Sequence, residues 1–340
     1  MRESIDKNEA LRVTLTITVC MLAGKLLALG SPVYLALYPT IVMTKGKDFS
    51  WQGLVKMLFP TFIAASCALV IAELFHDHPF IIWTISLIFF DQMRRRANNP
   101  AKLGAMLMPT FNWILIIVFS QHTTADMPMR IHEILISMTI TILITKLMRA
   151  LLPKPNHPFM LNEKQPAFSS QTVTYQNRFV SLSLIGCGLA FLMIVDLISA
   201  TFCMVPVIAA ATQFTRASFR QVVERRLLTQ VGGCAIAVIF TLLMAAHQNV
   251  IGYYALGLGG LVFMIAHAMA HAQGALRDLH ADSLLATMLP IQLYMTSSSL
   301  GLESTYLRAW ELTVTLGILF ILHQLTSSRD SDDQRHYSHP

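Results

Sequence analysis

Long apolar runs near residues 12–30, 54–75, 104–120, 131–151, 179–196, 229–246, 251–269 and 308–325 dominate this 340-residue chain. Each is long enough to cross, or nearly cross, a hydrocarbon layer that needs ~20 apolar residues. Shorter apolar runs at 31–43, 80–92, 200–211 and 284–296 fill the gaps. A soluble domain needs a more polar surface than a chain that is 54% hydrophobic and 13% charged can supply. The expected fold is therefore an all-α integral membrane protein with about 12 transmembrane helices, six in each half.

The two halves read as copies. With residue 44 placed over 212, Thr44, Ser50, Val55, Thr61 and Val70 fall on Thr212, Ser218, Val223, Thr229 and Val238. Further on, Arg130-Ile131-His132-Glu133 matches Arg308-Ala309-Trp310-Glu311, and each opens the last long apolar run of its half. The organisation expected is a first six-helix repeat over 1–151, a cytoplasmic linker over 152–177, a second repeat over 178–326 and a disordered cytoplasmic tail over 327–340. The linker is polar and rich in proline (Pro153, Pro155, Pro158, Pro166), which suits a connector better than a folded domain.

A net charge of +6 and a pI near 9.1 would suit a nucleic-acid partner, but the placement of the charges argues otherwise. With the N-terminus in the cytoplasm, all but three of the 25 basic residues fall in cytoplasmic segments; the exceptions are Lys25, Arg130 and Arg308. That asymmetry follows the positive-inside rule, so the charge reports topology, with both termini cytoplasmic and no nucleic-acid partner. Because the linker returns the chain to the same side, the repeats are expected to be parallel, related by a pseudo-twofold axis along the membrane normal. Ala28-Leu29-Gly30 resembles a signal cleavage site, but the counterpart of the first run is internal, so 12–30 is read as a retained helix. The five cysteines all lie in apolar runs and are expected to pack between helices rather than form disulfides.

Prolines recur at matching places: Pro39 and Pro206 in the short second segments, Pro109 and Pro290 in the fifth. A proline inside a membrane helix frees a backbone carbonyl, and paired short or interrupted spans in two halves point to a transport site. Asn112 and Gln292 follow two of these breaks, and Tyr38 precedes Pro39. The same kinks would also serve packing alone.

Lys25 lies deep in the first apolar helix, about 20 Å beyond Arg12 along the axis. A lysine there attracts anions into a pathway, snorkels to the outer surface or pairs with Asp196. The Arg-x-x-Glu pairs place Arg130 with Glu133, and Arg308 with Glu311, on one helix face. They read either as local ion pairs or as a proton-coupling device with the glutamates as acceptors. His267 and His271 stand four apart, but without carboxylates at defined offsets they call for no metal. No Walker A and no Gly-x-Ser-x-Gly sequence is present, so neither an ATPase nor a hydrolase is expected, and no cofactor.

Leu11-Arg12-Val13, the turn at Ser31-Pro32, Tyr34-Leu35-Ala36-Leu37-Tyr38-Pro39, the basic loop 45–56 and Ala64-Ala65-Ser66 together resemble the fusaric-acid-resistance-like family of bacterial inner-membrane proteins. Arg178 and Gly232-Gly233 echo the pattern in the second half. That resemblance implies efflux of small organic anions, often aromatic carboxylic acids, with a periplasmic adaptor of the membrane-fusion type. The short outer loops at 76–79, 121–129, 247–250 and 297–305 would require such an adaptor. The chain departs from many members in lacking a sizeable cytoplasmic domain. The expectation is a proton-coupled exporter in which Lys25, Tyr38, Pro39, Pro109, Asn112, Pro206, Pro290 and Gln292 form the pathway. Glu133, Glu311, Arg130 and Arg308 would couple the proton. The rivals are a passive organic-anion channel and a non-transporting scaffold subunit of an envelope complex.

Overall fold

The computed structural model describes residues 8–27, 29–122, 127–153, 173–195, 198–213, 216–245, 247, 249–295 and 302–336; side chains are not described at 100–101, 127, 198–199, 216–217 and 322–336. The described residues form α-helices and one 3-10 helix, with no strand. The first half holds α1 (Glu9–Leu26), α2 (Tyr34–Lys45), α3 (Trp51–Leu74), α4 (Pro79–Arg96), α5 (Pro100–His122) and α6 (Met127–Leu151). The second holds α7 (Tyr175–Ile194), the 3-10 helix Ile198–Cys203 running into α8 (Met204–Ala211), α9 (Arg216–Leu243), α10 (Ile251–His271), α11 (Gly274–Tyr294) and α12 (Leu302–His336).

Six of these helices, α3, α5, α6, α7, α9 and α10, are long and apolar enough to cross a bilayer. About twelve transmembrane helices were expected, eight of them from long runs, so among the described residues the count of apolar helices long enough to cross is half the expected one. The first helix, α1, is not among the six; Glu9, Arg12 and Lys25 share its 18 residues. The side chains of α12 are described only to Ile321. The tail expected to be disordered from 327 is helical as far as His336; no glycine or proline interrupts the chain from Ile318 to there. The linker residues 154–172 lie outside the described residues.

Long helices turn apolar side chains outward. Val55, Phe59, Ile63, Val70 and Leu74 of α3, Leu143, Leu147 and Leu151 of α6, and Ile239, Leu242 and Leu243 of α9 are all exposed. A soluble surface does not carry apolar area of this extent, whereas a lipid-facing one requires it. These helices define the chain as a multi-pass helical membrane protein.

Two short helices are enclosed instead. In α2, Tyr34 through Thr40, Val42 and Met43 are buried, and in α8 all residues but Ala209 are. A helix apolar on every face belongs inside a bundle. Helix α2 packs on α1, α6 and α11; α8 packs on α7, α9 and α5. The halves therefore interleave, with α1 against α10 and α4 against α7 as well.

Local signals set the boundaries. Ser50 caps α3, its hydroxyl accepting from the Gly53 amide at 3.0 Å. The Asp48 carboxylate accepts from the Ser50 amide at 2.8 Å, which holds the Asp48 carboxyl below the usual carboxylate range. Asn99 caps α5 through the Lys102 amide at 2.8 Å. The short link from α10 to α11 turns at Gly274, whose φ of 55° is left-handed.

The tightest approach between long helices is α9 on α11. A Cβ added at Gly233 would lie 2.6 Å from the Ala286 Cβ and 2.8 Å from its carbonyl carbon, whereas one at Gly232 would meet nothing within 4 Å. Small residues let helix backbones approach where the hydrophobic effect offers little drive. Gly233→Leu should therefore separate α9 from α11 and lower the thermal midpoint of the detergent-solubilised protein by several degrees. Gly232→Ala should leave it within a degree or two; equal effects at both positions would contradict this packing.

Candidate functional site

The ends of the bundle differ in charge. One end gathers the starts of α1, α3, α5, α7, α9 and α11 with the ends of α2, α4 and α6. Ion pairs there join the halves: Glu9 to Arg277, Lys45 to Asp282, and Asp91 to Arg178, whose guanidinium gives the carboxylate contacts of 2.7–2.9 Å. Charges read in the sequence as loop markers thus also stitch the two halves together. At the opposite end, His122 of α5 bonds the Leu192 carbonyl of α7 at 2.7 Å.

The densest group at the basic end surrounds Asp282, whose side chain is 4% exposed. Lys45 approaches at 3.2 Å, Arg225 at 3.0 Å and Arg226 at 3.5 Å. Arg225 also faces Asp278 at 3.7 Å. The cluster ties the C-terminal end of α2 to the early turns of α9 and α11. Two carboxylates, the buried Asp282 and the exposed Asp278, against three cations leave positive charge in excess.

The sequence reading does not contain this cluster, because it takes the basic residues only as markers of topology. The available signal was the position of Asp282, on the same helix face as Asp278 and directly before the apolar run that begins at Leu284.

The pathway residues of the sequence reading fall into separate places. Tyr38 and Asn112 meet: the Tyr38 hydroxyl donates to Asn112 Oδ1 at 3.5 Å, and Asn112 Nδ2 donates to the Met108 carbonyl at 3.1 Å. Both side chains are fully buried. Tyr34, one turn earlier, stacks on Tyr38 with ring centroids 5.6 Å apart. A line of buried polar groups therefore follows α2 inward. Gln292 lies on the opposite flank of α2, donating to the Met21 carbonyl of α1 at 3.3 Å. Pro39, Pro109 and Pro290 sit inside α2, α5 and α11. Pro206 is the third residue of α8, where a backbone N–H has no acceptor within the helix, so no intrahelical bond is lost.

Lys25 turns outward to α10. Its amine lies 4.2 Å from the Tyr254 ring centroid, a cation–π contact worth about 0.5–2 kcal/mol. Lys25 and Tyr254 line a cavity of about 180 Å³ with Leu22, Leu26, Asn249 and Ile251. Asp196, the alternative partner, lies outside the described residues.

The two Arg-x-x-Glu motifs occupy matching positions. Glu133 accepts the Gly30 amide at 2.6 Å, and Arg130 donates to the Ser31 hydroxyl at 3.0 Å, so the first motif clamps the turn between α1 and α2. A side chain at Gly30 would come within 2.9 Å of the Glu133 carboxylate, which explains the glycine. Arg130 also covers the Phe119 ring at 4.2 Å and acts with Glu133 on the buried Tyr34. In the second motif, Arg308 covers the Phe202 ring at 5.0 Å, and its charge reaches Tyr294, Cys203 and Cys234. Tyr34 and Phe202 share the offset that aligns Thr44 with Thr212. Each arginine thus meets one aromatic from the second segment of its half and one from the fifth.

Residues 9–148, from the first residue of α1 into α6, match a family described as protein of unknown function (DUF2955). No curated protein and no solved structure matches the chain.

Removing one member of a buried ion cluster leaves its partners uncompensated, at a cost of about 3–5 kcal/mol. Asp282→Asn should destabilise the protein on that scale, and Lys45→Met added to it should recover part of the loss in chemical-denaturation measurements. A neutral Asp282→Asn would show that the cluster is not held as described. Glu133→Ala should cost about 1–3 kcal/mol by leaving the Gly30 amide without its acceptor, and Glu133→Gln should cost less.

Proposed function

We propose that this chain is an inner-membrane efflux transporter for small organic anions, aromatic carboxylates among them, driven by the proton gradient. The observation that carries this reading is the pair of short, enclosed helices. Helices α2 and α8 hold corresponding positions in the two halves, and each packs on the fifth helix of the other half. Paired short or interrupted segments at a repeat interface are where secondary transporters build their sites.

The two halves are read as parallel repeats. Their packing relations recur: α1 on α10 as α7 on α4, α3 on α5 as α9 on α11, and α3 on α6 as α9 on α12. The basic end is assigned to the cytoplasm by the positive-inside rule, with both termini on that side. On that assignment the Asp282 cluster closes the cytoplasmic end of α2, and its excess positive charge draws anions toward it. The buried line of Tyr38 and Asn112 continues inward. Lys25 adds attraction for anions at the outer end. Glu133 and Glu311 are the two candidate proton acceptors, each one turn beyond a buried or half-buried arginine on its helix. A periplasmic adaptor continues the path, because the loops at the outer end are short.

The test is flux. In proteoliposomes an imposed pH gradient should drive uphill accumulation of an aromatic acid such as benzoate, abolished by a protonophore, and a deletion strain should become sensitive to the exported acids. Flux that only runs downhill would replace the exporter with a passive channel. No flux of any acid across a panel of aromatic and aliphatic carboxylates, with no sensitivity phenotype, would overturn the reading in favour of a scaffold.

A further inference from the structure

Arg308 is among the most deeply buried large side chains, 1% exposed, about 9 Å inside the start of α12. Its Nε and Nη1 have no acceptor among the described residues, and neither does the buried hydroxyl of Tyr294 beside it. The neighbouring thiols of Cys203 and Cys234 are weak acceptors. A buried guanidinium with open donors is costly in a membrane protein, and such positions mark ligand pathways.

In the first copy Arg130 leaves one buried nitrogen open, Nε, against two in Arg308. There Arg130 donates to Ser31, while Glu133 is engaged by the Gly30 amide. The open Nε and Nη1 of Arg308 call for an acceptor, and a carboxylate would supply it in a charge-assisted bond.

We propose that Arg308, Tyr294 and Phe202 form the binding site for the carboxylate substrate. The guanidinium and the Tyr294 hydroxyl donate to the carboxylate, and the Phe202 ring packs against the aromatic part of the ligand. Glu311, one turn further along α12, sits where a proton and the anion influence one another's binding. This inference rests on the exporter reading and narrows it to one place in the second half, so transport is asymmetric between the two copies.

The experiment uses the full chain in detergent and benzoate as the probe, with isothermal titration calorimetry as readout. Wild type should bind benzoate and ignore neutral benzamide. Arg308→Gln should weaken benzoate at least tenfold, and Arg308→Lys should recover part of the loss. Tyr294→Phe, which keeps the packing, should weaken it several-fold even if Arg308→Gln fails to fold. Phe202→Leu should lower the preference for benzoate over acetate. Wild-type affinity in both Tyr294→Phe and any folded Arg308 variant would overturn the site. If wild type still exports benzoate in that case, the exporter reading stands and only the site falls. If wild type neither binds nor moves any acid, both fall.

Discussion

A helix of twelve residues spans about 18 Å, well short of the ~30 Å hydrocarbon core, so α2 cannot stand in lipid by itself. Its ends would leave backbone groups without partners in a medium that offers none. Protein must therefore enclose it, and the remaining helices arrange themselves around that need. Its far end is held by the Arg130–Glu133 clamp on the turn from α1, and its near end by Lys45 on Asp282. The short α8 has the same problem and a similar solution, with the Ser181 hydroxyl closing its last turn at the Ala211 carbonyl.

Enclosing two short helices requires helices from both halves, which is why the halves interleave. The charged end is where that interleaving is fastened. Glu9–Arg277, Lys45–Asp282 and Asp91–Arg178 each join one half to the other. Their desolvation is incomplete except around Asp282, so their main contribution is to fix which helix lies beside which, more than to add net stability. The opposite end relies on aromatic rings under Lys25, Arg130 and Arg308.

Helix positions were largely legible in the sequence because apolar length is a strong signal, although α9 and α11 begin ten or more residues before their apolar runs and α12 continues well past its own. Which helices face lipid was not legible, since α2 and α3 are both apolar in composition although one is enclosed and the other turns apolar side chains outward. The meeting of Tyr38 with Asn112 could be anticipated only as two residues near proline breaks. Lys25 stands out in the sequence by its depth, but its contact with the Tyr254 ring is long-range and no local pattern encodes it. The Asp282 cluster draws on three helices; charges counted one loop at a time give no hint of it. The motif Arg-x-x-Glu was found twice, but the groups its first copy holds, Gly30 and Ser31, lie far away in sequence.

The most direct measurement of the central claim, that export proceeds around two enclosed helices held at the interface between the halves, is a reversible cross-link across that interface. With the native cysteines replaced, Lys45→Cys and Asp282→Cys should be bridged by a short bifunctional methanethiosulfonate, which spans the length of the lost lysine side chain and joins α2 to α11. Transport of an aromatic acid should stop while the bridge is present and resume on reduction, to the level of the untreated double variant. A bridge that forms fully yet leaves transport unchanged, or positions that never cross-link in the folded protein, would contradict the account.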